Sequence, residues 1–352
     1  MNALEHQLRY PFGDTLPGPG STLTVAPGVK WLRMGLPFAL DHINLWLLRD
    51  RHQGREGWAI VDCGIHNDAT RAAWEQVFAT QLEGLPVLRV IVTHMHPDHI
   101  GLADWLTQRW DCDLWISATD WNAARLASQP GNDIGGEASA AHYARHGVTD
   151  EDTLAKVRAR TNYYASMVPT VPRRYHRLLD GQVLRIGDHD WRCHAGYGHA
   201  PEHIALHAQS LNLLISGDMV LPRISTNVMV MHLEPEADPL ALFLASIERM
   251  RALPADAVVL PSHGRPFTGL HTRIDQLRDH HADRLAEVME ACTAQPTHAV
   301  GLLPVLFRRP LDLHQTSFAL GEAIAHLHTL WLQGRLERRL DADGIYRFVP
   351  AA

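Results

Sequence analysis

Thr93-His94-Met95-His96-Pro97-Asp98-His99 crowds three imidazoles and a carboxylate into six residues. Imidazole and carboxylate are the ligands that borderline divalent ions such as zinc accept. Four such groups this close cannot all reach one ion without strain, but they can serve two. His94 and His96, at i and i+2 of an extended turn, face the same way and can share one ion. Asp98 and His99 can turn toward a second ion beside it. Three later segments weigh against a merely solvated polar loop. They are Gly198-His199-Ala200-Pro201-Glu202-His203, Ser216-Gly217-Asp218 and Pro261-Ser262-His263-Gly264. Each is weak by itself, because a single His or Asp at a strand end is more often structural than functional. Together they supply five histidines (His94, His96, His99, His199, His263) and two aspartates (Asp98, Asp218). That set suits two metals bridged by one carboxylate and one hydroxide.

Such ligands must stand at the ends of rigid elements. Over the first ~115 residues, β-branched runs at 22–25, 43–48, 58–61 and 87–92 predict strands, and 114–116 a further one. Trp74, Val77, Phe78 and Leu82 predict a helix over 69–82. A second helix is expected after Asp98, carrying Ile100, Leu102, Ala103 and Leu106. The Thr93–His99 motif thus falls between an apolar strand and a helix. Residues 118–175 show no strand pattern and read as a helical insertion, either a lid over the site or a surface decoration. Short strands at 183–186, 191–194, 203–207 and 211–215 read as an antiparallel meander, and 258–260 as one more strand. Asp238-Pro239 is an N-cap followed by proline at the first helical position. A long helical stripe then runs through Leu270, Ile274, Leu277, Leu285 and Val288. The expected division is a hydrolase domain over 1–295 and a separate unit over 296–352. In that tail a helical stripe ends near Gly334, and two strands flank Asp341-Ala342-Asp343-Gly344, the pattern of a winged-helix-like unit.

The bulk numbers limit the functions available. With 352 residues, 46 % hydrophobic and 20 % charged, the chain has enough material for a sizeable core and about two domains. A formal charge of −7 argues against a generally basic nucleic-acid binder. From residue 303 onward six arginines face five acids, too even a balance for a DNA-reading wing, so a structural or dimerising role is favoured there. The four cysteines are widely spaced and read as free thiols in a reducing compartment. No signal-peptide pattern opens the chain, and the apolar stretch 29–48 carries Lys30, Arg33, Asp41 and His42, which excludes a simple membrane span. A cytoplasmic location is expected.

The order His-x-His-x-Asp-His, Gly-His, Gly-Asp, Ser-His-Gly resembles the metallo-β-lactamase superfamily over about residues 20 to 275. The resemblance implies an α/β (α+β) fold, a four-layer αβ/βα sandwich with two sheets face to face and helices outside. By its pattern His94, His96 and His199 hold the first metal, and Asp98, His99 and His263 the second, with Asp218 bridging. The metals would be two divalent ions, zinc first, with manganese or iron as alternatives. Asp62, in Val61-Asp62-Cys63-Gly64, matches a position that orients a ligand histidine. His203 is expected to support the ligands rather than bind. The implied mechanism uses a metal-bridging hydroxide as nucleophile, with Asp98 orienting it. Ligand histidines must be neutral, so activity is expected to fall as the pH drops through the histidine range.

Fold does not fix substrate. Zinc β-lactamases generally lack a bridging aspartate, and Asp218 is present. Glyoxalase II enzymes share the seven ligand types, but the segment Met219–Ser225 and the winged tail differ from theirs. The wording Gly-His-Ala-Pro-Glu-His, with the tail, resembles a subgroup that includes small proteins of unknown substrate and an endoribonuclease of single-stranded RNA. The favoured expectation is a hydrolase of small esters or thioesters, such as acyl thioesters or lactones. Single-stranded RNA is the alternative, and a non-catalytic binding protein is a third reading. Tyr163, Tyr164, Arg173, Arg174 and Arg223 are candidate substrate contacts, and a homodimer is a candidate assembly.

Overall fold

The computed structural model describes residues 2–132, 134–307 and 313–352; Arg308, Arg309 and Asp312 of the tail's charge balance lie outside them. Seven strands form one sheet in chain order: β1 (Leu23–Ala26), β2 (Val29–Gly35), β3 (His42–His52), β4 (Arg55–Val61), β5 (Val87–Ile91), β6 (Asp113–Ser117) and β7 (His176–Leu178). The pairings from β1 to β4 are antiparallel and those from β4 to β7 parallel. Helix α1 (Asp68–Thr80) makes the first crossover. The side chain of its N-cap Asn67 accepts a hydrogen bond from the Thr70 amide, and its buried face carries Thr70, Trp74 and Val77. Where one helix was expected after Asp98 there are two, α2 (Pro97–Ile100) and α3 (Ala103–Trp110). Gly101, between them, packs so closely on the 64–66 turn that a Cβ there would stand 2.7 Å from the His66 amide nitrogen.

The second sheet holds β8 (Val183–Ile186), β9 (His189–Gly196), β10 (His203–Ala208), β11 (Leu213–Gly217) and β12 (Val258–Pro261), antiparallel except for the parallel pair β11–β12. Strand β3 shows how the layers assemble. Ile43, Leu45 and Leu47 face a core shared with Trp74, Val77 and Leu106 of the helices. Trp46 and Leu48 face the opposite way, into a core shared with Leu184, Trp191, Ile204, Leu206 and Ile215 of the second sheet. Period-two alternation with both faces apolar is what a strand between two layers requires. Helices, first sheet and second sheet are three of the expected four layers.

Residues 118–175 form the helices α4 (Ala118–Ala127), α5 (Gly136–Arg145), α6 (Glu151–Arg158) and α7 (Tyr163–Met167). Then follow α8 (Pro239–Arg249), α9 (Leu270–Ala294), α10 (Ala299–Leu306), α11 (Leu313–Leu332) and the antiparallel hairpin β13 (Leu336–Leu340) and β14 (Tyr346–Pro350). Thr297 bridges Phe348 of β14. By packing, the chain divides into two compact units. The first comprises 1–130, 164–226 and 249–274; the second comprises 131–163, 227–248 and 275–352. Within the second unit, residues 131–163 pack with the tail, where the Val300 amide donates to the His146 carbonyl at 3.2 Å. Among the described residues no helix is long and apolar enough to cross a membrane.

Candidate metal centre

In parallel strands the carboxyl ends gather at one rim, and loops there can carry a site on a rigid base. The C-terminal ends of β4, β5, β11 and β12 all contribute. His94 and His96 follow β5; Asp98 and His99 lie on α2, which Pro97 opens. His199 lies in the β9–β10 turn, Asp218 directly follows β11, and His263 follows β12.

The seven side chains converge. Ligand atoms of His94, His96, His199 and Asp218 lie within 4.8 Å of one another, and so do those of Asp98, His99 and His263. Asp218 stands between the two groups. Its Oδ2 is 3.2 Å from His199 Nε2, while its Oδ1 is 3.4 Å from His263 Nε2 and 3.6 Å from His99 Nε2. Asp98 Oδ2 is 3.4 Å from His263 Nε2 and 3.5 Å from His99 Nε2. Four donors bound tetrahedrally at about 2.0–2.1 Å stand about 3.3 Å apart, so these separations fit divalent ions. Buried His99 Nε2 and Asp218 Oδ1 have no hydrogen-bond partner, an arrangement that is costly unless something charged completes it.

The surrounding charges sort the imidazoles. Burial, then the neighbouring ring of His99, holds His94 well below the ordinary histidine range, and burial with His199 does the same to His96. Burial also opposes protonation of His99, but the carboxylates of Asp98, Asp62 and Asp218 overcome it and hold its pKa well above normal. Burial alone would raise Asp218; His263 and His99 outweigh it and keep that carboxyl ionised.

Supporting residues fix the ligands' orientation. Asp62 Oδ1 accepts the Thr93 amide at 2.8 Å, and Oδ2 accepts the Thr93 hydroxyl and His99 Nδ1, both at 2.9 Å. His99 thereby turns Nε2 toward the cluster, as metal-site histidines commonly do. His203 is buried, and its Nε2 accepts the Asp218 amide at 3.2 Å. Burial and His199 push its pKa down to about 3, so it is neutral. Gly217 (φ +53°) lets the backbone pass this ring, since a Cβ there would stand 2.1 Å from His203 Nε2.

Other supports carry no sequence motif. His263 Nδ1 bonds to the His42 carbonyl at 2.8 Å, and His42 Nε2 accepts the Gly264 amide at 2.8 Å. Buried Asn44 donates to the Pro261 and Gly264 carbonyls and accepts from Trp31 Nε1. Buried Asp120 accepts amides from Met95 and Glu202. One polar residue inside the apolar run 43–48, and the N-cap spacing Ser117-x-x-Asp120, were the available signals. Of the candidate substrate residues, Tyr164 donates its hydroxyl to the Met95 carbonyl at 2.5 Å, and Arg223 pairs with Glu5 at 3.1 Å. Arg173 and Arg174 are exposed, as is Tyr163 in the second unit, where Arg160 lies over its ring.

The sequence profile of the metallo-beta-lactamase superfamily matches residues 39–263. The chain belongs to that superfamily. The profile described as metallo-beta-lactamase-like, C-terminal domain, matches residues 285–351. A beta-lactamase domain protein from Burkholderia ambifaria, known from its crystal structure, is 56 % identical with a TM-score of 0.94; the match covers 99 % of this chain and all of that one. A metallo-beta-lactamase family protein from Thermus thermophilus is 28 % identical over 93 % of this chain and all of its own, with a TM-score of 0.77. The probable metallo-hydrolase YqjP of Bacillus subtilis (strain 168) is 22 % identical over 90 % of this chain and 96 % of its own. With these relatives the seven-stranded and five-stranded sheets are those of the metallo-beta-lactamase fold.

Proposed function

We propose that this superfamily member is a metal-dependent hydrolase that holds two divalent ions, zinc foremost, and cleaves a small ester or thioester. The observation that carries the reading is Asp218, which offers one carboxylate oxygen to each ligand group. His94, His96 and His199 would hold one ion, and Asp98, His99 and His263 the other. When bound, such ions supply an activated water near neutral pH and polarise a carbonyl oxygen. The protein's own groups do the rest. Asp62 and the His42 carbonyl orient His99 and His263. Asp98, with 19 % of its side chain exposed, reaches solvent from within the cluster, which supports a role in orienting the attacking water.

The second reading, cleavage of single-stranded RNA, needs a basic surface to hold phosphates. Among the described residues of the tail, three of the four arginines are matched by acids: Arg338 with Glu236 and Arg339 with Glu337, each at 2.6 Å, and Arg347 with Asp343 at 2.8 Å. That pairing supports the small-molecule reading, and it suits a structural or dimerising use of the winged-helix-like tail. The test is hydrolysis by the metal-analysed protein of a panel of acyl thioesters, lactones and labelled single-stranded RNA, with His96→Ala as control. Turnover of thioesters or lactones that is lost in His96→Ala is expected. Cleavage of RNA alone would replace the substrate assignment.

A further inference from the structure

One carboxylate joins two ligand-bearing loops. Asp120, fully buried in the first turn of α4, accepts the Met95 amide on Oδ1 at 2.7 Å and the Glu202 amide on Oδ2 at 2.6 Å. Met95 lies between His94 and His96, and Glu202 lies three residues past His199. All three histidines of the first group are therefore attached to loops that this side chain holds. Tyr164 completes the grip by donating its hydroxyl to the Met95 carbonyl, so both backbone groups of residue 95 are fixed. The Ser117 hydroxyl donates to Asp120 Oδ2 at 3.2 Å, and the Asp120 amide donates back to that hydroxyl. The second group does not depend on this clamp. His99 is oriented by Asp62 and His263 by the His42 carbonyl.

We propose that Asp120, aided by Tyr164, is a positioning residue for the first ion alone, so that loosening it costs the protein one of two ions. The proposal rests on the two-ion reading above. Its chemistry follows from donor and acceptor counting. Each oxygen of Asp120 meets a backbone N–H, and both must accept. An asparagine has the same shape but points an N–H at one of those two amides, so one loop loses its anchor. Loss of a partner that orients ligands typically costs about 10- to 100-fold in metal affinity.

The test is a Co(II) titration of the chelator-stripped full-length protein, followed by absorbance and by metal analysis after gel filtration. The wild type is expected to bind two ions per chain. Asp120→Asn is expected to keep one ion at wild-type affinity and to weaken the other by about 10- to 100-fold. The spectrum it retains should match that of His96→Ala and not that of His263→Ala. Tyr164→Phe should weaken the same ion by less, and it carries the test if Asp120→Asn does not fold. Ser117→Ala removes a helix cap and the third partner of the carboxylate but neither loop anchor. It should lower the melting temperature of the metal-free protein and leave both affinities unchanged. Equal loss of both ions, or no loss, in Asp120→Asn and Tyr164→Phe overturns the assignment. A wild type that binds fewer than two ions overturns the two-ion reading itself.

Discussion

Whether both carboxylate oxygens are already held by protein donors separates three of the aspartates around this site. Asp62 and Asp120 have both oxygens occupied by amide, hydroxyl or imidazole donors. Asp218 Oδ1 faces His99 and His263 without a hydrogen-bond partner. Two substitutions should separate the roles. Asp218→Ala should abolish hydrolysis and weaken binding of both ions, read by metal analysis after dialysis. Asp62→Ala should weaken one ion by about 10- to 100-fold through loss of the His99 partner while the other stays; unchanged stoichiometry at limiting metal would refute that division. The seven converging residues were legible in the sequence because metal chemistry restricts side-chain type and the motif clusters four of them. Asp120, Asn44 and His42 were not, because their importance depends on which distant loops they meet. The Tyr164 hydroxyl holds the backbone between two histidines, a contact that no local pattern around residue 164 signals.

Elements place these residues, and most were readable from apolar alternation. The strand expected at 183–186 matches β8, and that at 87–92 matches β5 to within a residue. Strand β2 was hidden because Lys30 and Arg33 interrupt it; both are half-buried, their charged ends lying over the rings of Trp58 and Trp31. Three-residue β7 is too short to show a period. Toward the other end of the strands from the site, the sheets are tied by a buried ion pair. Arg89 of β5 meets Asp50 of β3 through Nε at 2.7 Å and Nη2 at 2.9 Å. Arg89 also donates to the Arg185 carbonyl, and Asp50 accepts the Gly187 amide, both from the second sheet's β8–β9 hairpin. Removing one partner leaves an uncompensated buried charge, so Asp50→Ala should cost about 3–5 kcal/mol in urea unfolding. A loss below about 1 kcal/mol would show that the pair contributes no more than a surface bridge.

At the scale of the whole molecule, the packing of 131–163 with the tail escaped the sequence because a contact so distant along the chain leaves no local mark. The second unit buries a cluster of histidines. His142 and His328 are pushed down to about 4 and His146 to about 2, in each case first by burial; neighbouring rings and Arg145 add to the effect on His142 and His146, and Arg338 to that on His146 and His328. These rings stay neutral when folded but take up protons when unfolded below about pH 6.5. Unfolding therefore binds protons, and stability should fall as the pH drops from about 6.5 toward 4, on the order of 3 kcal/mol for each of His142 and His328. Above about pH 6.5 the effect vanishes. His326, also lowered to about 4 by burial, adds to the effect, while Glu322, raised to about 7, and Asp120, raised to about 6, both by burial, act in the opposite sense and offset part of it. Urea midpoints at pH 7, 6 and 5 check this: a flat series would refute it, and His142→Gln should shallow the slope. The spread of the metal ligands along the chain has a consequence in time. A chain growing on a ribosome has His94, His96, Asp98 and His99 early but must wait for His263. At ~5–20 residues per second that interval is roughly 8 to 30 s. A half-finished set follows the general affinity order, in which copper outranks zinc. Under the two-ion proposal, the ion carried by the finished protein would then depend partly on what the cell lets the nascent chain meet during those seconds.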